Sequence, residues 1–220
     1  MTNIAVAGAS GHAKVIIDII EKQGIHSIVG LIDSYKEPGT ERFGYKVLGH
    51  ESRIGEFIER LDIEGGIVAI GDNRTRGVVV ERILRYAPEF RFISAIHPSA
   101  NIAGGAIVGR GTAIMAGVSV NCDTRVGDHC ILNTHSCVDY ENRIGDYATL
   151  GPGAVTGEHV VVGDYSAVLL GAVVARGVSI GADTIIAAGA TVLEDVPGRC
   201  VAVGSPARVT GTREPDEPYL

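Results

Sequence analysis

Two groups of residues in this 220-residue chain combine types and spacings that can do chemistry. The first is Gly8-Ala9-Ser10-Gly11-His12. It follows an apolar run and opens a segment of helical spacing, so its backbone N–H groups stand at a helix N-terminus, where phosphate is well received. The dinucleotide-binding fingerprint does not fit, because Ser10 and Ala13 occupy its second and third glycine positions. Asp33 follows a second apolar run, where an acid takes ribose or base hydrogen bonds, and Gly71 and Asn73 follow a third. The second group is acid–base. His159 lies eighteen residues beyond Glu141, and Asp123 eighteen before it. A chain that coils with that period stacks the three, and a Glu–His pair is a ready proton acceptor. His135, five residues before Tyr140, falls on another corner of the same coil and is the other histidine offered as base.

The period is real. From Ile102 onward a residue recurs every six positions through Val108, Ile114, Val120 and so on to Val192, and fifteen of these sixteen are aliphatic, Thr156 being the exception. Two residues before each sits a generally smaller side chain, from Ala100 to Ala190. Neither the 3.6 repeat of a helix nor the 2 of a strand produces a strict six, whereas a hexapeptide β-helix does. Val108-Gly109, Val126-Gly127, Ile144-Gly145, Val162-Gly163 and Ile180-Gly181 mark a longer period of eighteen, three hexapeptides to a triangular coil. The high glycine count of 30, aromatic content of 5% and absence of Trp suit the thin core of such a stack.

Residues 1–96 read differently. Strands are expected at 4–7, 28–32, 66–70 and 92–96, with helices at 13–21 and from 73 to about 85. Alternation of this kind implies a Rossmann-like α/β domain with a parallel sheet, whose ligand loops share one edge. His97-Pro98-Ser99 marks the junction, residues 97–209 form the β-helix, and residues 210–220 read as a polar, frayed tail.

Net charge is −7, which argues against a nucleic-acid or anionic-membrane surface. Cys122, Cys130, Cys137 and Cys200 form no CxxC pair and read as reduced thiols. No leader and no membrane-length apolar run is apparent, so the chain reads as cytoplasmic.

The segments GASGHAK, AIGDNRTR, AIHPSA, ILNTHSCVDYENRIGD and GSPAR, spread over nearly the whole chain, resemble the hexapeptide-repeat nucleotide-sugar N-acetyltransferases of bacillosamine and perosamine synthesis. Sialic-acid O-acetyltransferases belong to the wider group. The resemblance implies a left-handed coil, acetyl-CoA as co-substrate without a metal, a homotrimer with its catalytic site between subunits, and N-acetylation of a nucleotide-linked 4-amino sugar. It assigns the nucleotide sugar to Gly8, Ala9, Ser10, His12, Asp33, Ser34, Gly71 and Asn73, and acetyl-CoA to a groove at Thr149, Leu170 and Ala188.

One position departs from the family. Its catalytic motif carries a histidine base between two acids, and here that stretch reads Asp139-Tyr140-Glu141. A phenol, titrating near ~10, is a poor base at neutral pH where an imidazole, near ~6.5, is a good one. Tyr140 is therefore read as a positioning hydroxyl or substrate contact, with Glu141, His159 and His135 as the remaining acid–base groups. Three other readings stay open: sugar O-acetylation, a nucleotide-sugar or CoA-binding trimer without turnover, and a metal hydratase resembling the γ-class carbonic anhydrases. The last needs three converging histidines, which His129, His135 and His159 do not obviously supply.

Overall fold

The structure is a computed structural model in which residues 1–214 and Glu217 are described. It comprises two compact units, Met1–Pro98 and Ser99–Leu220.

The first unit contains β1 (Thr2–Ala7), α1 (Gly11–Gln23), β2 (His26–Ile32), β3 (Glu41–Arg42), β4 (Tyr45–Gly49), α2 (Ile54–Leu61), β5 (Gly65–Val68), α3 (Asn73–Tyr86), β6 (Arg91–Phe92) and β7 (Ala95–Ile96). One sheet runs β3-β4-β2-β1-β5-β6, with β3 antiparallel to β4 and the other pairs parallel. Central β1 buries Ile4, Ala5, Val6 and Ala7, the continuous apolar run of a strand covered on both faces. The α1 helix buries Ala13, Ile16, Ile17, Ile19 and Ile20 at helical spacing and ends on Gly24 in the left-handed region. The sequence places α1 two residues late. It also runs the third strand past its end at Val68, so residues 69–72 are loop, and it merges β6 and β7 into one strand.

The second unit is a parallel β-helix of two-residue strands. Each of the sixteen positions from Ile102 to Val192 is the second residue of such a strand. From Ile114 onward all are buried, as are the smaller residues two before them from Thr112 onward. Strands pair in parallel eighteen residues apart, as in Ile114↔Leu132↔Leu150↔Val168↔Ile186. This gives three faces, called here the first (strands 101–102, 119–120, 137–138, 155–156, 173–174, 191–192), the second (107–108 to 179–180) and the third (113–114 to 185–186). Thr156, the break in the aliphatic series, has its reason inside the coil: its Oγ1 accepts a 2.6 Å hydrogen bond from Nδ2 of buried Asn142.

The expected tail is corrected in part. Residues 210–212 belong to a strand, Arg208–Thr212, antiparallel to Cys200–Val203, because both segments place extended backbone beside the last coil. Residues 215, 216 and 218–220 lie outside the described residues. No helix among the described residues is long and apolar enough to cross a membrane.

Candidate active site

In the first unit the strand ends form a cradle. Gly8 takes φ 120°, and a Cβ there would lie 2.7 Å from the carbonyl oxygen of Ala69, so the β1 turn and the β5 loop touch only because the residue is glycine. Ser10 is the α1 N-cap but makes no capping bond with its hydroxyl. The Asp33 carboxylate bridges two turns: Oδ2 accepts from the Ala9 amide at 2.9 Å, and Oδ1 from the amides of Tyr35 and Lys36. A phosphate-receiving loop was expected here, but one of its amides is already committed to a carboxylate. That charge disfavours an anion at the Ala9 amide and suits a hydroxyl or N–H donor. Ser34 donates to Glu51 Oε2 at 2.6 Å, and Arg82 holds Glu51 Oε1 at 3.1 Å. Burial pushes the Glu51 pKa up, yet the hydrogen bonds from Ser34, the backbone and Arg82 together outweigh it and hold the carboxyl below its ordinary range.

Arg76 is buried at 1% exposure. Its guanidinium donates to the carbonyls of Ile70 and Gly71 and to Asn73 Oδ1, fixing the 70–73 loop. Asn73 thus spends its oxygen on the scaffold, and Asp72 caps α3 by accepting from the Thr75 amide at 2.8 Å. His12 is pushed down to about 4, by burial first and by the Arg76 charge second. It is neutral at pH 7, and its Nε2 is buried without a hydrogen bond. Arginine is rarely buried, so nothing in the sequence singled out Arg76.

In the second unit the acid–base residues gather on the corner between the first and second faces. His159 Nδ1 lies 2.9 Å from Glu141 Oε2, with both side chains about half exposed at 54% and 50%. The rings of Tyr140 and His159 meet in a T-shaped contact, centroids 5.6 Å apart at 83°. Its carbonyl accepts from the His159 amide, and Asp139 Oδ1 accepts from the Tyr140 amide and from Asn121 Nδ2. Asp123, Glu141 and His159 all adopt positive φ (57°, 56°, 57°), where Gly105 and Gly177 stand in neighbouring coils. Side chains here replace the residue the turn accepts most easily.

The structure does not bring the other site residues to this corner. His135 stands on the corner between third and first faces, against the backbone of Gly117. Leu170 (56% exposed) and Ala188 share that corner one coil apart and present open apolar surface, whereas Thr149, on the third face, is only 8% exposed and offers little to a groove. His129, Tyr147 and Tyr165 stack face to face on the remaining corner, centroids 5.1 and 4.7 Å apart. Among the described residues no group of three or more His, Cys, Asp or Glu side chains is placed to hold a metal ion.

The sequence reading also passed over Arg125 and Arg143. They face outward on the second face and line a depression of about 460 Å³ with Asp123, Glu141, His159 and Val161. Their only signal was a shared position in successive coils.

Comparison with known proteins agrees with this architecture. Residues 3–83 match the family described as the PglD N-terminal domain. Perosamine N-acetyltransferase (PerB) of Caulobacter crescentus, solved in complex with CoA and GDP-perosamine, superposes with a TM-score of 0.89 at 34% identity, covering 96% of this chain and 98% of that one. The acetyltransferase domain of PglB from Neisseria gonorrhoeae FA1090, in complex with acetyl coenzyme A, gives 0.85 at 26% identity, covering 94% and 98%. UDP-N-acetylbacillosamine N-acetyltransferase of Bacillus subtilis (strain 168) is 34% identical over 119 residues, 53% of this chain and 52% of that protein, so the match spans about half of the curated relative. The chain belongs to the nucleotide-sugar acetyltransferase family.

Proposed function

We propose that the chain transfers an acetyl group from acetyl-CoA to the amino group of a nucleotide-linked 4-amino-4,6-dideoxy sugar, with the Glu141–His159 pair as proton acceptor. The observation that carries this reading is the 2.9 Å approach of His159 Nδ1 to the Glu141 carboxylate. A carboxylate at that distance favours the proton on Nδ1 and leaves the Nε2 lone pair for substrate. The amine nitrogen attacks the thioester carbonyl, Nε2 takes the N–H proton as the C–N bond forms, and collapse of the tetrahedral intermediate releases CoA as thiol. Tyr140 positions the imidazole through the T-shaped ring contact and its main-chain carbonyl. An amine is a better nucleophile than a hydroxyl, which favours N- over O-acetylation at a site built on an exposed histidine.

In the cradle, Gly8, Ala9, Ser10 and Gly71 supply backbone, Asp33 and His12 supply polar groups, and Ser34 and Asn73 brace the loops. Asp33 suits the donor groups of a ribose or base. Leu170 and Ala188 present the apolar surface for the coenzyme, with Thr149 behind it.

The working unit is read as a homotrimer. Tyr140, Glu141 and His159 stand on one corner and Leu170 and Ala188 on another, with the first face between them. One chain alone does not bring the base and the coenzyme groove together, and a neighbouring copy supplies the missing half. A cytoplasmic location belongs to the same reading, since the four cysteines are all free.

A ligand-binding trimer without turnover is the competing reading, favoured by the phenol at position 140. Incubation with acetyl-CoA and UDP-, GDP- or dTDP-linked 4-amino sugars, followed by product mass, separates the two. Gain of one acetyl group on the sugar supports transfer, and binding without mass change supports the alternative.

A further inference from the structure

Arg125 and Arg143 pair in register on neighbouring strands of the second face. Val126 and Ile144 fill the inward positions, so both arginines project into the 460 Å³ depression. Among the described residues neither guanidinium has an ion-pair or hydrogen-bond partner, whereas Arg110 is held by Asp128 at 2.9 Å and Arg176 by Glu158 at 3.2 Å. Like charges in register repel, and no direct ion pair among the described residues holds either of these two in place. Asp123 and Glu141 share the depression, and Glu141 faces His159. Together the two acids and two arginines leave it near neutral. A simple monoanion such as chloride gains little there. A group with several anionic oxygens that takes both planar forks at once gains most.

We infer that Arg125 and Arg143 form a phosphoryl-binding subsite beside the Glu141–His159 pair. The identity of the ligand rests on the acetyl-transfer reading: the diphosphate of the nucleotide sugar or the phosphates of the coenzyme. The existence of the subsite does not. Its position places a phosphate-bearing substrate against the base, which makes the arginines determinants of substrate affinity rather than of proton transfer.

The test is calorimetric titration of the full chain with inorganic pyrophosphate at low ionic strength. Native protein is compared with Arg125→Gln, Arg143→Gln, the double Gln variant and the double Lys variant, each checked for folding by its melting curve. Each Gln substitution is expected to weaken binding roughly tenfold, while the double Lys variant retains part of the affinity. Native binding is also expected to fall as salt is raised. Equal binding by native and double Gln protein, or no binding by native protein at millimolar pyrophosphate, overturns the subsite. Steady-state kinetics then names the source. A higher KM for the nucleotide sugar assigns the subsite to its diphosphate, and a higher KM for acetyl-CoA assigns it to the coenzyme. With both KM values unchanged in an active double Gln variant, the subsite is refuted as part of catalysis. If no nucleotide sugar is acetylated at all, the transfer reading falls, and the pyrophosphate titration still decides this one.

Discussion

Glu141 and His159 are one coil apart, and the eighteen-residue period places the imidazole Nδ1 2.9 Å from the carboxylate. The contact follows from the repeat itself: position 141 pairs with 159 as Ile144 pairs with Val162. His159 therefore lies one coil beyond Glu141, nineteen residues after Tyr140.

Removal of either member should therefore act on turnover more than on binding. His159→Asn is expected to lower kcat by about 10²–10⁴-fold, the usual range for general-base catalysis, with little change in KM. Glu141→Gln should lower it less, because the imidazole remains. Tyr140→Phe keeps the edge contact and should leave kcat within about threefold, while Tyr140→Ala removes a contact worth ~0.5–1.5 kcal/mol and should cost up to about tenfold. Steady-state rates of thiol release measure all four.

The buried Asn142–Thr156 bond gives a stability prediction. Thr156→Val restores the aliphatic series but leaves the Asn142 amide short of a partner, and should destabilise the chain by about 1–3 kcal/mol. Asn142 also accepts from the Val160 amide at 2.6 Å, so Asn142→Ala should cost at least as much. The double variant should be more stable than the sum of the single losses implies, which a denaturant double-mutant cycle measures.

His12 makes stability fall on the acid side of neutrality. Its folded value of about 4 lies below the ordinary 6.5. Above 6.5 both folded and unfolded chains carry it neutral. Between 6.5 and 4 the unfolded chain binds a proton that the folded chain refuses, so stability drops as pH falls through that window. At ~1.4 kcal/mol per unit the loss reaches at most about 3 kcal/mol. Melting temperatures from pH 7 to 4 should decline more steeply for native protein than for His12→Asn.

Asp33 tests the cradle. Asp33→Ala frees the Ala9, Tyr35 and Lys36 amides and removes the carboxylate that joins the turn after β1 to the one after β2. The expected result is a KM for nucleotide sugar raised about tenfold or more with the KM for acetyl-CoA unchanged.

The coil was legible because its core is a linear code. One inward aliphatic and one small residue per six leave little ambiguity, and the period alone stacked His159 on Glu141. The first unit was less so. The β3–β4 hairpin begins with a two-residue strand of charged residues, and α2 spans eight residues, too short for periodicity to declare either. The cradle's outline was readable in Gly8, Asp33 and Gly71. Its inner bonds were not: Asp33 taking the Ala9 amide and buried Arg76 holding the 70–73 loop depend on how strand ends meet, and a linear pattern does not carry that. Arg125 and Arg143 read as ordinary solvent-facing positions until their lack of partners was visible.

The central claim is that His159, oriented by Glu141, accepts the proton during acetyl transfer to a nucleotide-linked amino sugar. The most direct measurement is kcat/KM for thiol release with the accepted sugar, for native protein, His159→Asn and His159→Asn with Tyr140→His. The account predicts an active native chain, a loss of about 10² or more in the single variant, and partial recovery when an imidazole is supplied at position 140. Full activity in His159→Asn would contradict it and leave the Glu141–His159 contact a structural one.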